Sequence, residues 1–163
     1  MYIIESDQYL YHTPFNDLKG FAMPITLTVS EGLLEPDREA QVFAALTDAL
    51  LEVEQLDGNA FMRPNVIGTL HVLPRDRVFA GGKAGAAAFV ELKLPNVALA
   101  TPDAKQRFVE RATEVVEQAA AGRLTRDRIW VNVVYAADGA WGIEGRAYAN
   151  TELVDMIGAA ATH

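Results

Sequence analysis

Thr101-Pro102-Asp103-Ala104-Lys105-Gln106-Arg107-Phe108, continued by Ala112, Val115, Val116 and Ala119 at three- and four-residue spacing, is the stretch on which the fold turns. Thr101 is suited to cap a helix, Pro102 to its first position and Asp103 to the positive end of its dipole. Gly122 is a stop signal. The pattern predicts a helix with one apolar face, packed on a sheet. An earlier segment opens the same way: Pro36-Asp37 precedes Val42, Phe43, Leu46, Leu50 and Val53, again one stripe. Superposing the two Pro-Asp pairs also aligns the apolar or alternating runs around them. Residues 24–29 and 88–94 read as strands before the helices, and residues 66–73 and 129–135 as strands after them. The chain therefore reads as a duplicated βαβ unit. The expected fold class is α/β (α+β), with tandem βαβ units forming one mixed β-sheet and two helices on one face.

The bulk properties narrow the partners. A chain of 163 residues, half of them hydrophobic, is sized for one compact domain. A formal net charge of −8 argues against a phosphate-backbone binder, so no nucleic acid is expected. There is no cysteine, and His12, His71 and His163 are scattered, so neither a thiolate nucleophile nor a metal site is expected. No signal-like front and no run of about 18 apolar residues is present, which makes a soluble cytoplasmic protein without a membrane partner the expectation. Strand residues Val66, Ile67, Leu70 and Val72 are apolar enough that the second sheet face also needs covering, most simply by oligomerisation. Asp138-Gly139 signals a turn, residues 148–161 form a short helix or a tail, and Gly81-Gly82-Lys83-Ala84-Gly85 reads as a turn rather than a phosphate loop.

Composition changes near residue 22. Residues 1–21 lack alanine and hold Tyr2, Tyr9 and Tyr11, whereas alanine and valine are dense in the remainder. The expected organisation is an N-terminal extension, residues 1–22, and one domain, residues 23–163. Met23-Pro24 stands at the join. Inside a polypeptide the proline nitrogen is a tertiary amide with no proton and no basic lone pair; at a chain terminus it is a secondary amine. Two readings follow. In one, Met23 is the native start: Lys19-Gly20 must be encoded by a purine run resembling a bacterial ribosome-binding site, and methionine before proline is readily removed. In the other the extension is retained, Tyr2-Ile3-Ile4 and Tyr9-Leu10-Tyr11 cover the sheet or a neighbouring subunit, and Pro24 is chemically silent.

A tandem βαβ chain with Met-Pro heading its first strand resembles the tautomerase superfamily. Arg63-Pro64 followed by Leu70-His71-Val72, and then Phe79-Ala80-Gly81-Gly82, resembles the end of the first unit of macrophage migration inhibitory factor, and residues 124–132 resemble its last long strand. Ala140-Trp141-Gly142 with Glu144-Gly145-Arg146-Ala147 is instead similar to the endings of malonate semialdehyde decarboxylase and cis-3-chloroacrylic acid dehalogenase. Together the pieces span most of residues 23–148.

The resemblance implies keto-enol tautomerisation of a small 2-keto or enol acid by a homotrimer, with no cofactor. That chemistry needs a base of near-neutral pKa and donors for an oxyanion. Burial lowers an amine's pKa, so a terminal Pro24 would be the general base. Arg63 matches a pocket lysine and is either a bidentate partner for a substrate carboxylate or a loop arginine. Asn132 and Trp130 match residues contributed across a subunit boundary, and alternation points both to one side; Asn132 is the stronger functional candidate, Trp130 the better packing residue. Glu144 matches, within one residue, the glutamate that activates water in the cis-dehalogenase. Lys93 reads as an edge residue turned to solvent, with a second substrate cation as the alternative. Where the decarboxylase and dehalogenases carry arginines, this chain has Leu94-Pro95-Asn96-Val97-Ala98. That departure favours a plain tautomerase with a more apolar pocket over a hydratase, dehalogenase or decarboxylase. A noncatalytic binding or structural role is the alternative if the extension is retained.

Overall fold

The computed structural model describes residues 22–60 and 62–160. Apart from Ala22, the extension and the covering role expected of its tyrosines lie outside the described residues. Strand β1 (Met23–Ser30) leads through a 3-10 turn at Pro36–Arg38 into helix α1 (Glu39–Val53) and, after a second such turn at Arg63–Asn65, into β2 (Val66–Leu73). A small hairpin, β3 (Phe79–Ala80) and β4 (Lys83–Ala84), turns on Gly81-Gly82, both at positive φ. The second unit repeats the plan in β5 (Ala88–Pro95), α2 (Pro102–Ala120) and β6 (Ile129–Ala136). Hairpin β7 (Trp141–Ile143) and β8 (Arg146–Tyr148) and helix α3 (Asn150–Ala160) complete the described chain.

The main sheet has the order β2-β1-β5-β6, with β1 parallel to β2, β5 parallel to β6, and β1 antiparallel to β5. Each parallel pair needs a crossover, which its helix provides. The antiparallel centre joins the two units back to back. This is the fold class the sequence predicts.

Alternation divides β1 and β5 cleanly. Met23, Ile25, Leu27 and Val29, with Ala88, Val90, Leu92 and Leu94, are buried beneath the helices. Val42, Leu46 and Leu50 of α1 and Phe108, Ala112 and Val116 of α2 meet them. Each large side chain so buried contributes about 1.5–3 kcal/mol. Gly68 of β2 lies on this same face, where an added Cβ would stand 2.3 Å from Cδ1 of Phe43. We expect Gly68→Ala to lower stability by about 1–3 kcal/mol, read as a reduced denaturant midpoint; an unchanged midpoint would mean that Phe43 swings aside freely.

Three expectations need refinement. The Thr101 cap forms, its Oγ1 accepting from Ala104 N–H at 3.1 Å, but the left-handed residue ending α2 is Ala121 (φ 49°), with Gly122 following at φ 82°. The tail is a docked helix: Asp138 accepts from the backbone N–H of Asn150 at 2.7 Å, Asn150 and Asn96 are joined through their side chains, and Leu153 is fully buried. Lys93 is not on an edge strand, because β5 is interior; it is exposed because the sheet's second face carries no helix, and it pairs there with Glu91 at 3.1 Å.

Candidate active site

Pro24 is the second residue of β1 and belongs to the helix-free sheet face, since its neighbours Met23 and Ile25 point into the core. It lies beside Ile67 of β2, and one step beyond the Ile25 and Leu92 pair it comes opposite Lys93 of β5. The next row across this face contains Thr69, Thr26, Glu91 and Asn132, with the Thr69 hydroxyl donating to that of Thr26 at 3.1 Å. The row beyond holds His71, Thr28, Phe89 and Trp130. Trp130 stacks on Phe89 with ring centroids 5.3 Å apart.

Asn132 and Trp130 do point the same way, both exposed. Within one chain, however, they are two strands from Pro24, about 10 Å across the sheet before any offset along it. They and Pro24 do not form one small pocket in a single chain. Arg63 lies just before β2, at the Pro24 end of the sheet, and its guanidinium pairs with Asp48 of α1. Both partners are more than half exposed, so the pair contributes about 0–1 kcal/mol and is readily exchanged for a ligand carboxylate. Glu144 occupies the exposed two-residue turn between β7 and β8, at φ 51° and followed by Gly145 at φ 79°. That backbone is the one a tight hairpin turn requires.

A cavity of about 210 Å³ opens on the other side of Met23. Met62, Leu56, Val97, Val154 and Ile157 supply most of its wall, and among the described residues Glu54 is the one ionisable group lining it. Glu54 follows the last turn of α1, where the apolar stripe carries it against the loop between β5 and α2. Its Oε1 accepts from the Leu99 N–H at 2.7 Å. The Leu99 carbonyl accepts from the Tyr135 hydroxyl at 3.0 Å, so one residue, held at φ 44°, is clamped through both its N–H and its carbonyl. Burial pushes the Glu54 carboxyl above its ordinary range, against the lowering effect of the Leu99 N–H. Tyr135 is raised too, by burial and then by the charge of Glu54.

Neither Glu54 nor Tyr135 was legible as a site residue in the sequence. Glu54 reads as a solvated acid at a helix end, and only the packing of the second unit brings Leu99 to it. A carboxyl raised by folding keeps its proton over a window in which the unfolded chain has lost it. The stabilisation is complete below the unfolded value and disappears as pH rises through the folded value. We therefore expect Glu54→Gln to flatten stability against pH and to gain on the wild type toward neutrality, measured by denaturant midpoints from about pH 4 to about pH 8. Parallel curves for the two proteins would contradict this.

Among the described residues no three His, Cys, Asp or Glu side chains converge as a metal site, and no helix is long and apolar enough to cross a membrane. No family model matches this chain, and no curated protein matches it. Solved structures do. A symmetric trimer of wild-type fused 4-OT is 16% identical over 77% of this chain and 95% of that one, with a TM-score of 0.65. N1, a member of the cis-3-chloroacrylic acid dehalogenase family, is 15% identical over 86% and 99%, with a TM-score of 0.64. A macrophage migration inhibitory factor-like protein from Entamoeba histolytica is 16% identical over 77% and 98%, with a TM-score of 0.59. The two βαβ units, joined antiparallel at β1 and β5 with both helices on one face, have the fold of the tautomerase superfamily.

Proposed function

We propose that the chain beginning at Pro24 is a keto-enol tautomerase of a small 2-keto or enol acid, acting as a homotrimer in the cytoplasm, with the Pro24 amine as general base. The observation that carries this reading is the placement of Pro24. It heads the first strand of a tautomerase fold, and the residue before it, Met23, lines an apolar cavity. Excision of Met23 frees the nitrogen and removes a side chain from the cavity wall in one event. Burial beside apolar strands favours the neutral amine, the form able to take a proton.

The remaining assignments follow from the arrangement. Arg63 exchanges Asp48 for the substrate carboxylate. Asn132 and Trp130 act on a neighbouring subunit's Pro24, because they are too far from their own. Trimer formation also covers the apolar residues of the open face, and the fused 4-OT structures that share the fold include trimers. Glu144, on its hairpin tip, is the water-activating group in the hydratase or dehalogenase alternative, which the likeness to N1 keeps in view. If residues 1–22 are retained, Pro24 is an amide and the chain binds or assembles without this chemistry. The deciding experiment is a tautomerisation assay with phenylpyruvate and 2-hydroxymuconate on the form beginning at Pro24. A rate no greater than that of buffer would contradict the proposal.

A further inference from the structure

Met23, which is bonded to the Pro24 nitrogen, lines the cavity, so its excision opens that wall next to the freed amine; among the described lining residues Glu54 supplies the one carboxyl group in an otherwise apolar wall. Glu54 is held there by a specific contact: the Leu99 N–H engages Oε1 at 2.7 Å, and Tyr135 fixes the same residue through its carbonyl at 3.0 Å. An acid whose position is set by backbone, facing a largely apolar cavity, is placed to exchange a proton with a molecule in that space. We propose that Glu54 is a second catalytic residue of this site, a general acid working opposite the Pro24 base; this rests on the tautomerase reading.

In the ketonisation direction the Pro24 nitrogen takes the enol hydroxyl proton, the oxygen's electrons form the carbonyl, and the carbon-carbon double-bond pair takes a proton from the Glu54 carboxyl. The enzyme is left as ammonium and carboxylate. Water then removes one proton from the amine and returns one to Glu54, so the substrate is isomerised with no net change. Burial supports the role by favouring the protonated carboxyl. Among the described residues, few charged and titratable groups surround Glu54. Tyr135 approaches from β6, Lys105 of α2 lies over the Tyr135 ring at 5.3 Å, and Asp155 of α3 borders the adjoining cleft that shares Val97 and Val154. On its own helix, Glu52 pairs with Arg111.

Glu54→Gln isolates the proton, because the Gln carbonyl still accepts from Leu99 N–H. In the form beginning at Pro24 we expect this variant to lose about a hundredfold or more in kcat with KM little changed. The wild-type rate should rise with pH as Pro24 deprotonates and fall as Glu54 does. The variant should keep only the rising limb. Tyr135→Phe loosens the same clamp without removing the proton, and should retain both limbs and a kcat within a few-fold of wild type. An active wild type with a Gln variant of equal kcat and the same two limbs would overturn the role of Glu54 and leave that of Pro24 standing. A Phe variant that reproduces the Gln profile would reduce Glu54 to a positioning residue and overturn the assignment. An inactive wild type would overturn both readings.

Discussion

The form of this protein beginning at Pro24 is expected to tautomerise a small enol acid at least about a hundredfold faster than the same chain carrying residues 1–23. The reason is valence. With Met23 attached, the Pro24 nitrogen is an amide whose lone pair is delocalised, and no rearrangement of the fold makes it a base. Met23 is also 1% exposed and lines the cavity, so its side chain takes up space beside the reacting end of the sheet. A free Pro24 amine would sit next to apolar strands that disfavour its charged form. Pro24→Ala in the processed form leaves a primary amine with greater freedom and should lose about a hundredfold or more in kcat. The measurement is the ultraviolet change on ketonisation, for the two chain forms and the variant side by side. Equal rates for the long and short chains would remove the amine from the mechanism, whatever the fold.

Trp130→Asp should dismantle the assembly while leaving the subunit folded. Ile67, Phe89, Trp130 and Val134 stand on the helix-free face with 41%, 38%, 42% and 43% of their surfaces exposed, and the stacked Phe89 and Trp130 rings form its apolar anchor, the kind of exposed surface that marks an interface. None of them helps to bind the helices to the sheet, so the subunit core has little to lose. Removing an indole from a covered interface gives up about 3 kcal/mol or more per subunit, and burying a carboxylate in its place adds to the loss. Association should weaken by more than about a hundredfold. The expected readouts are monomers in sedimentation equilibrium at micromolar concentration, an unchanged far-ultraviolet circular dichroism spectrum, and loss of activity if Asn132 acts on a neighbouring subunit as proposed. A trimer that persists with full activity would place the interface elsewhere.

Much of the architecture was legible because it rests on short-range physics. The paired Pro-Asp helix starts, the apolar stripes at helical spacing and the alternation in β1 and β5 each specify an element and the face it buries. The Gly81-Gly82 turn was legible for the same reason, as a two-residue connection whose backbone needs positive φ. Lys93 was misplaced, because strand order is not written in any strand: β5 reads the same at an edge as in the middle. Glu144 matched a catalytic glutamate in sequence, but the tight turn it occupies is explained by hairpin geometry alone.

The site divides along the same line. Met23-Pro24 was a candidate by its chemistry alone, whereas Arg63 and Asn132 were candidates by their match to a resembled family. Glu54 could not be picked out, because its raised affinity for a proton comes from burial among residues far away in sequence, which outweighs the opposing hydrogen bond from the Leu99 N–H. Sequence alone determined the duplicated βαβ frame, a consequence of local packing rules. Only the tertiary structure decided which groups line the cavity at Met23 and which sheet face carries no helix, because burial and proximity belong to the packed chain as a whole.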